Sequence, residues 1–561
     1  MLVTDEQLKT IVLNVKLVNP QKLAEIETYA KNSEMSLADA LIERDIISDE
    51  NLGMLIADSL KMPFIVLGKI SIPEDVFRII PERLARQHKV IPFARDTFGI
   101  KIATTNPSDT LIQEMITRKT GLRVVVYLTT ERDIYNKLWI YRKDLQKTFD
   151  TLVAEQVKTA GEEGSIDAPI AKIVDLIISY GYQDRVSDIH IEPQEKETLV
   201  RFRIDGILHD VLSLPKKLHE QIATRIKVLS SLRTDEHLAP QDGKMRVDLE
   251  EEALDIRVSI LPLVYGEKIV MRLLSSRFRQ FSFLDLGMSE ADLERLTRGF
   301  SKSFGMVLST GPTGSGKTTS IYSILKIINT REKNITTIED PVEYRIRGVN
   351  QIQTNVKSNL TFASGLRSIL RQDPNVIFVG EIRDSETAGI AVNAALTGHL
   401  VLSTLHTNDA ATALPRLTDM NIEPFLVAST VNVIVAQRLV RKICEMCKVS
   451  YNVDRAHLLQ SFPEKSVQEH FGSKEQVRVY QGRGCDVCHS TGYAGRLGVF
   501  EVLEVSNVVR KLINEKKDAD AIVTQAKAEG MTTMLDDGLI KVIKGLTTIE
   551  EVLRVTKVEA V

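Results

Sequence analysis

The sequence predicts an α/β protein organised on a parallel sheet that holds a polyphosphate, and three observations predict it. Gly311-Pro312-Thr313-Gly314-Ser315-Gly316-Lys317-Thr318 has the spacing G-x-x-x-x-G-K-[ST]; it sits between the strand-like run Met306-Val307-Leu308-Ser309 and a helical pattern of Ile321, Ile324, Leu325 and Ile328. Asn375-Val376-Ile377-Phe378-Val379-Gly380-Glu381 is an apolar run ending in an acid, which a fully buried strand delivers to the C-terminal edge of a parallel sheet. Thr397-Gly398-His399-Leu400-Val401-Leu402-Ser403-Thr404-Leu405-His406-Thr407-Asn408 is a further strand with a histidine at either end. In the loop, glycines let backbone N–H groups close around phosphates and the helix N-terminus adds partial positive charge. Lys317 can reach the β- and γ-oxygens, and the Thr318 hydroxyl can ligate Mg²⁺.

Composition sets the limits. A chain of 561 residues is expected to hold about four domains. A net charge of −3 from 72 basic and 75 acidic residues gives no bulk case for nucleic acid or an anionic membrane as partner. The longest apolar window, Phe425 to Ala436, is interrupted by Ser429, Thr430 and Asn432 and stopped by Gln437-Arg438. It falls short of the roughly 18 apolar residues of a spanning helix. The opening Met1-Leu2-Val3-Thr4-Asp5-Glu6 is acidic where a secretory signal is basic and then apolar, so a cytoplasmic protein is expected.

In chain order, residues 1 to about 60 read as helices that repeat at an offset of 29, with Val18-Asn19-Pro20-Gln21-Lys22-Leu23 echoed by Ile47-Ser48-Asp49-Glu50-Asn51-Leu52 and N-caps at Asn19 and Ser48. From Met62-Pro63 the pattern becomes short strands and helices: Val90 to Phe93, Ile100 to Thr104, a helix from Asp109, and Leu122 to Val126. A charged and then polar stretch through Gly161-Glu162-Glu163-Gly164 reads as a linker. The next domain opens with the apolar helix Ile170-Ile173-Val174-Ile177-Ile178. It continues with strands in which Arg201, Arg203 and Asp205 share one face, while Arg257 and Arg272 repeat the device. Those arginines fit either a solvated sheet face or charge compensation for a triphosphate. Beyond the loop, Thr336-Thr337-Ile338-Glu339-Asp340-Pro341-Val342-Glu343-Tyr344 offers three carboxylates at a strand end, able to orient an attacking water or hold a metal shell. His399 and His406 could equally be structural residues or γ-phosphate sensors.

The ordered set GPTGSGKTT, TIEDPVEY, LRSILRQDPNVIFVGEIRD and GHLVLSTLHTNDA, with RFRIDG and RVSILP upstream, resembles the ATPases that power type IV pilus assembly and type II secretion, over nearly the whole chain. The resemblance implies a RecA-like P-loop core preceded by a PAS-like α+β domain and an N-terminal α+β module. The segments are then 1–138, a linker 139–167, 168–285, the core 286–443, an insert 444–500 and C-terminal helices 501–561. It implies that Gly311 to Thr319 bind ATP, with Lys317 and Thr318 in Walker A and Thr318 on Mg²⁺. It further implies that Glu343 is the catalytic acid, that Glu381 belongs to Walker B and that His399 and His406 form a histidine box. Either Glu343 or Glu381 positions the water. Arg257 and Arg272 match arginines that approach the phosphates, and Arg367 and Arg371 match core arginines of hydrolysis. Implied partners are five further copies in a hexameric ring and a platform protein at the inner face of the cytoplasmic membrane; nucleic acid is not among them. Some relatives bind cyclic di-GMP through an arginine-leucine-glycine start and a later glycine, where this chain has Ser36-Leu37-Ala38 and Asp45. A hydroxyl and a carboxylate there weigh against that ligand and favour a docking or regulatory module.

Cys444-Glu445-Met446-Cys447 and Cys485-Asp486-Val487-Cys488 are two C-x-x-C knuckles with 37 residues between them. Four thiolates suit tetrahedral Zn²⁺, with His489 a dispensable substitute and Arg441-Lys442 and Gly482-Arg483-Gly484 placed to offset its charge. Among the resembled proteins the tetracysteine insert marks pilus extension and secretion rather than retraction, which points to extension. The remaining functional readings are a type II secretion ATPase, a nucleic-acid translocase on the same core, and a nucleotide-gated docking protein. The last helix, from Thr548, has an apolar stripe of Ile549, Val552 and Leu553, as packing against the core requires.

Overall fold

The computed structural model describes residues 3–15, 18–33, 35–43, 46–70, 72–141, 151, 168–249, 252–275, 282–485 and 488–556. Most of the expected linker, including Gly161-Glu162-Glu163-Gly164, lies outside them, as do Asp45 and the Asp486-Val487 pair. The chain falls into two compact units, residues 1–60 with 281–561 and residues 61–280, so the expected module 1–138 is divided between them.

In the first unit, α1 (Asp5–Asn14), α2 (Pro20–Ser33), α3 (Leu37–Glu43) and α4 (Asp49–Ser59) enclose a small core of Leu8, Val12, Leu23, Leu41 and Leu52. Both expected caps are present: the Asn19 carboxamide accepts from Lys22 N at 2.7 Å and Ser48 Oγ from Asn51 N at 3.2 Å.

The second unit begins with a three-stranded sheet, β1 (Val90–Asp96), β2 (Gly99–Thr104) and β3 (Val124–Leu128), backed by the helix Thr110–Thr120 that Asp109 caps. Its larger sheet is six-stranded and antiparallel, in the order β6-β5-β4-β9-β8-β7. The strands are β4 (Asp188–Pro193), β5 (Glu197–Ile204), β6 (Ile207–Pro215), β7 (Gln241–Asp248), β8 (Ala253–Leu263) and β9 (Gly266–Leu274). Alternate residues such as Ile189, Phe202, Ile256 and Met271 pack with α5 (Ala168–Gln183) and α6 (His219–Leu229), leaving the charged face outward. Asp205 is not on that face. It forms the β5–β6 turn with Gly206 at φ 48° and 89°, joining the paired Ile204 and Ile207, as a two-residue hairpin of positive φ requires.

The first unit's main sheet has seven strands in the order β12-β11-β13-β14-β10-β15-β18. They are β10 (Gly305–Thr310), β11 (Ile335–Glu339), β12 (Asn350–Gln353), β13 (Val376–Val379), β14 (Leu400–Leu405), β15 (Val431–Ile443) and the antiparallel edge strand β18 (Tyr493–Glu504); β16 and β17 form a separate hairpin. All but β18 run parallel. Every residue of β10, β11, β13 and β14 is buried; β13 is apolar throughout, and β10 and β14 open on apolar residues before a buried Ser-Thr pair. Period-2 geometry sends their side chains into two cores. Leu308, Ile338, Ile377 and Val401 pack with α8 (Phe362–Ile369) and α9 (Ser385–Leu396), whereas Val307, Phe378 and Leu402 pack under α7 (Lys317–Ile328).

The expected boundary at 500 falls inside β18, a strand of the core sheet. The insert proper is the hairpin β16 (Lys448–Asp454) and β17 (Gln476–Gly482) with two short helices between the strands. Val453, Leu458, Val467 and Val479 of this insert bury themselves against α10 (Met534–Ile543) and α11 (Ile549–Thr556). Ile549 and Val552 of the expected stripe are in that core, and Leu553 packs against it.

Phe378, 1% exposed at the centre of the sheet, sets the core's packing. Phe378→Ala is expected to destabilise the unit by about 3–5 kcal/mol, read as a lowered midpoint in thermal or urea denaturation; an unchanged midpoint would contradict the packing described.

Candidate active site

A parallel sheet brings the C-terminal ends of its strands to one edge, and here four of them converge. Thr310 ends β10 and leads into the glycine loop, Glu339 ends β11, Val379 precedes Glu381, and Leu405 precedes His406. β10 and β14 pair from Gly305 with Leu400 to Thr310 with Leu405, which fixes the loop and His406 at the same level.

The loop has no space behind it. Gly311 has φ 143°, and a Cβ there would lie 2.5 Å from Gln437 O and 2.6 Å from Ser315 Oγ; at Gly316, φ 91°, it would lie 2.9 Å from Gln437 Nε2. Only glycine tolerates both the conformation and the closeness. Gln437, 2% exposed, is the backing residue: its amide donates to Ser315 O at 2.8 Å and accepts from Ser320 Oγ at 2.7 Å. Sequence reading missed this role, although Gln437-Arg438 stood out as the polar stop to the longest apolar window.

Lys317 is 9% exposed and folds onto its own loop, donating to Gly311 O at 2.7 Å and Pro312 O at 3.0 Å. Burial lowers its pKa, Glu381 opposes that shift and Arg438 adds to it. Those contacts place a cation among backbone carbonyls that a phosphate oxygen could replace. Among the described residues buried Ser315 Oγ has no hydrogen-bond partner, and Thr318 and Thr319 occupy the first turn of α7. An orphan hydroxyl, a buried ammonium, a helix N-terminus and a cradle that excludes any Cβ fit a polyphosphate.

Glu381 and His406 meet. Glu381 Oε2 lies 3.1 Å from His406 Nε2, and Oε1 pairs with Arg383 at 2.5 Å. Arg383 is the second residue missed, although it lies within the same acidic run. His399 is elsewhere: it precedes β14 at the opposite edge, where its Nδ1 is 2.9 Å from Ala394 O. The histidine box is therefore divided, with His406 at the loop and His399 closing a turn.

The three acids of the 336–344 run are also divided. Glu339 is 2% exposed, receives a hydrogen bond from Thr337 at 2.6 Å and one from Tyr322, and is raised in pKa by burial. It is an interior carboxyl rather than a water ligand. Tyr322 of α7, absent from the sequence reading, is its partner, and the Tyr322 hydroxyl also accepts from Glu343 N at 3.3 Å. The helix that begins with the phosphate loop thus fixes the turn that presents Glu343, while Asp340 is exposed.

The arginines are dispersed. Arg367 on α8 pairs with Glu386 at 2.6 Å, and Arg371 donates to Arg367 O at 2.9 Å; both are exposed. In the second unit, cross-strand register places Lys244, Arg257, Arg272, Asp188 and Arg203 in one row over five strands. Arg272 Nε is 2.8 Å and Arg203 Nε 3.7 Å from the Asp188 carboxylate. The row is one carboxylate among four cations.

The four cysteine Sγ atoms lie within 4.8 Å of one another, without His489, and three pairs are 3.8, 3.9 and 3.7 Å apart. Tetrahedral bonds of about 2.3 Å set sulfurs about 3.8 Å apart, whereas a disulfide needs about 2.05 Å. Backbone N–H groups of Gly484, Cys485 and Gly492 point at Sγ atoms from 3.2–3.3 Å. The set is compatible with a metal ion. Arg441 does not serve it as expected: it pairs with Glu551 at 2.7 Å and stacks on Tyr493 at 4.1 Å. Although burial opposes it, Arg554 and Arg441 hold Glu551 down to about 2.

The profile described as "Type II/IV secretion system protein" matches residues 163–554, and the MshEN domain matches 60–138. The type IV pilus assembly ATPase PilB of Myxococcus xanthus is 36% identical over 563 residues, 98% of this chain and 98% of that one. PilB of Pseudomonas aeruginosa is 37% identical over 97% of this chain and 98% of its own. The type II secretion system protein E of Pseudomonas aeruginosa is 44% identical over 420 residues, 74% of this chain and 82% of its own. The crystal structure of the Yersinia pseudotuberculosis ATPase DotB, 20% identical, covers 69% of this chain and 93% of its own with a TM-score of 0.51, a likeness of fold.

Gly316→Ala places a methyl group against Gln437 and is expected to weaken binding of a fluorescent ATP analogue at least about tenfold while the far-ultraviolet circular dichroism is kept. Unchanged affinity would contradict the close backing of the loop.

Proposed function

The chain belongs to the type II/IV secretion system protein family, a family of ATPases, and from that premise we propose that it is the motor ATPase of type IV pilus assembly. The observation that carries this reading is the end-to-end match to two pilus assembly ATPases, which includes the N-terminal residues. The higher identity to a type II secretion protein, over 420 residues, favours a second reading, pseudopilus assembly in type II secretion.

In this account the backbone of Gly311 to Gly316 and the first turn of α7, Lys317 to Thr319, bind the ATP phosphates. Thr318 would hold Mg²⁺ there, and the ion would supply positive charge against the phosphates. Lys317 exchanges the carbonyls of Gly311 and Pro312 for phosphate oxygens. Glu343, braced by Tyr322, or Glu381, beside His406, orients the attacking water; His406 reads the γ-phosphate. Arg257 and Arg272, with Arg203 and Lys244 in the same row, supply the positive charge that this reading sets against phosphate. Arg367 and Arg371 act at the outer surface of the core. The working form is a homo-hexamer that acts on a membrane-embedded platform protein from the cytoplasmic side; among the described residues no helix is long and apolar enough to cross a membrane.

Zn²⁺ is the metal this reading assigns to Cys444, Cys447, Cys485 and Cys488, as a structural ion holding the hairpin. The N-terminal helices act as a docking or regulatory module. At Ser36 the hydroxyl caps α3 and donates to the Asp39 carboxylate at 2.6 Å, so this position presents an anion where a dinucleotide phosphate needs a guanidinium.

Lys317→Ala should lower ATP turnover at least about a hundredfold; full phosphate release by that variant would overturn the hydrolytic site. Cells lacking the chain should lose surface pili and keep protein secretion. The reverse would select the type II reading, and hydrolysis stimulated by DNA would revive a translocase. Cys444→Ser with Cys485→Ser should abolish bound zinc in elemental analysis and lower the melting temperature; retained metal would remove that site.

A further inference from the structure

Glu501 is a carboxylate inside the core sheet, in β18, opposite Ala436 of β15 and 4% exposed. Its two oxygens serve different segments. Oε1 accepts from Ala410 N at 3.0 Å, and Oε2 accepts from Met534 N at 3.4 Å. Burying a charged group costs several kcal/mol unless hydrogen bonds compensate, so its presence at the sheet edge calls for a role beyond filling volume. Burial pushes the carboxyl up to about 7; Ala410 N–H opposes this, Asp409 adds to it, and Met534 N–H and Lys527 oppose it.

Ala410 belongs to the loop that leaves β14 through His406. That loop is held over the phosphate side: Thr310 Oγ1, one residue before the glycine loop, donates to Asp409 O at 3.3 Å, and Arg438 donates to Asn408 Oδ1 at 3.0 Å. Met534 is the first residue of α10. The same helix receives Phe500 N on Asp537 at 2.8 Å, returns Lys541 Nζ to Gly498 O at 2.8 Å, and packs through Leu539 and Val542 against the cysteine hairpin. Glu501 is therefore the joint at which the helix carrying the cysteine module meets the loop carrying His406.

We propose that Glu501 is a positioning residue for hydrolysis, tying the His406 loop to α10 so that the C-terminal module and the phosphate site share one arrangement. It acts through the backbone of Ala410. This rests on the hydrolytic reading of the site; Lys317→Ala run beside it separates failure of that reading from failure of this one.

The test uses the full chain. Glu501→Gln keeps the volume and one acceptor but cannot accept from both N–H groups. Met534→Pro deletes the second donor at a helix position where proline is well tolerated, and Met534→Ala, which removes the same core-packing side chain but keeps the N–H, is its control. Glu501→Gln and Met534→Pro, but not Met534→Ala, are each expected to lower kcat for ATP about tenfold with the Kd of a fluorescent ATP analogue within about twofold. In a His406→Ala background Glu501→Gln should add no further loss, as residues acting as a unit behave. The proposal is overturned if Glu501→Gln and Met534→Pro both leave kcat unchanged. It is also overturned if nucleotide affinity and melting temperature fall together with kcat, or if the His406 and Glu501 losses multiply.

Discussion

The phosphate loop is pressed against β15, and the rest of the site depends on that contact. With Gln437 O and Nε2 standing where side chains at Gly311 and Gly316 would be, the loop has one available path over the end of β10. That path starts α7 at Lys317. From α7, Tyr322 reaches the buried Glu339 and the Glu343 turn. From the neighbouring strand, His406 reaches Glu381. The positions of the acids are consequences of how close β10 lies to β15, because a displaced loop would carry α7 and Tyr322 with it.

Much of this was legible in the sequence, for identifiable reasons. Parallel strands buried on both faces are rich in apolar residues, so β10, β13 and β14 announced themselves, and the glycine spacing located the loop. The expected helix caps at Asn19 and Ser48 rested on local hydrogen bonding, which a sequence carries within four residues. What was not legible depended on partners distant in the chain. Nothing local distinguishes Glu339 from Glu343; the interior Tyr322 hydroxyl and the Gln351 amide, 3.2 Å from Glu339, make one a core residue. Likewise His399 and His406 differ only in which end of a strand they occupy. Gln437 was visible as an interruption of an apolar run, but its purpose needed the loop that it supports.

Charge placement follows the same logic in the second unit. The outward face of its sheet was expected to be either solvated or built for phosphate, and the register gives it a definite form: Asp188 between Arg203 and Arg272, with Arg257 and Lys244 continuing the row. A single carboxylate steadies two guanidinium groups and leaves the row's net charge positive. At the cysteine hairpin, by contrast, Arg441 pairs with Glu551, a carboxylate buried at 1% exposure, rather than with the thiols.

The central claim is that the strand ends and the loop backed by Gln437 form one hydrolytic site in which Lys317 is poised on carbonyls that phosphate displaces. An experimental structure of the full chain with Mg²⁺ and a non-hydrolysable ATP analogue tests it most directly. The account predicts Lys317 Nζ on the β- and γ-phosphate oxygens, Gly311 O and Pro312 O released, and Glu381 and His406 facing the γ-phosphate. An analogue bound elsewhere, with Lys317 still on those two carbonyls, would contradict it.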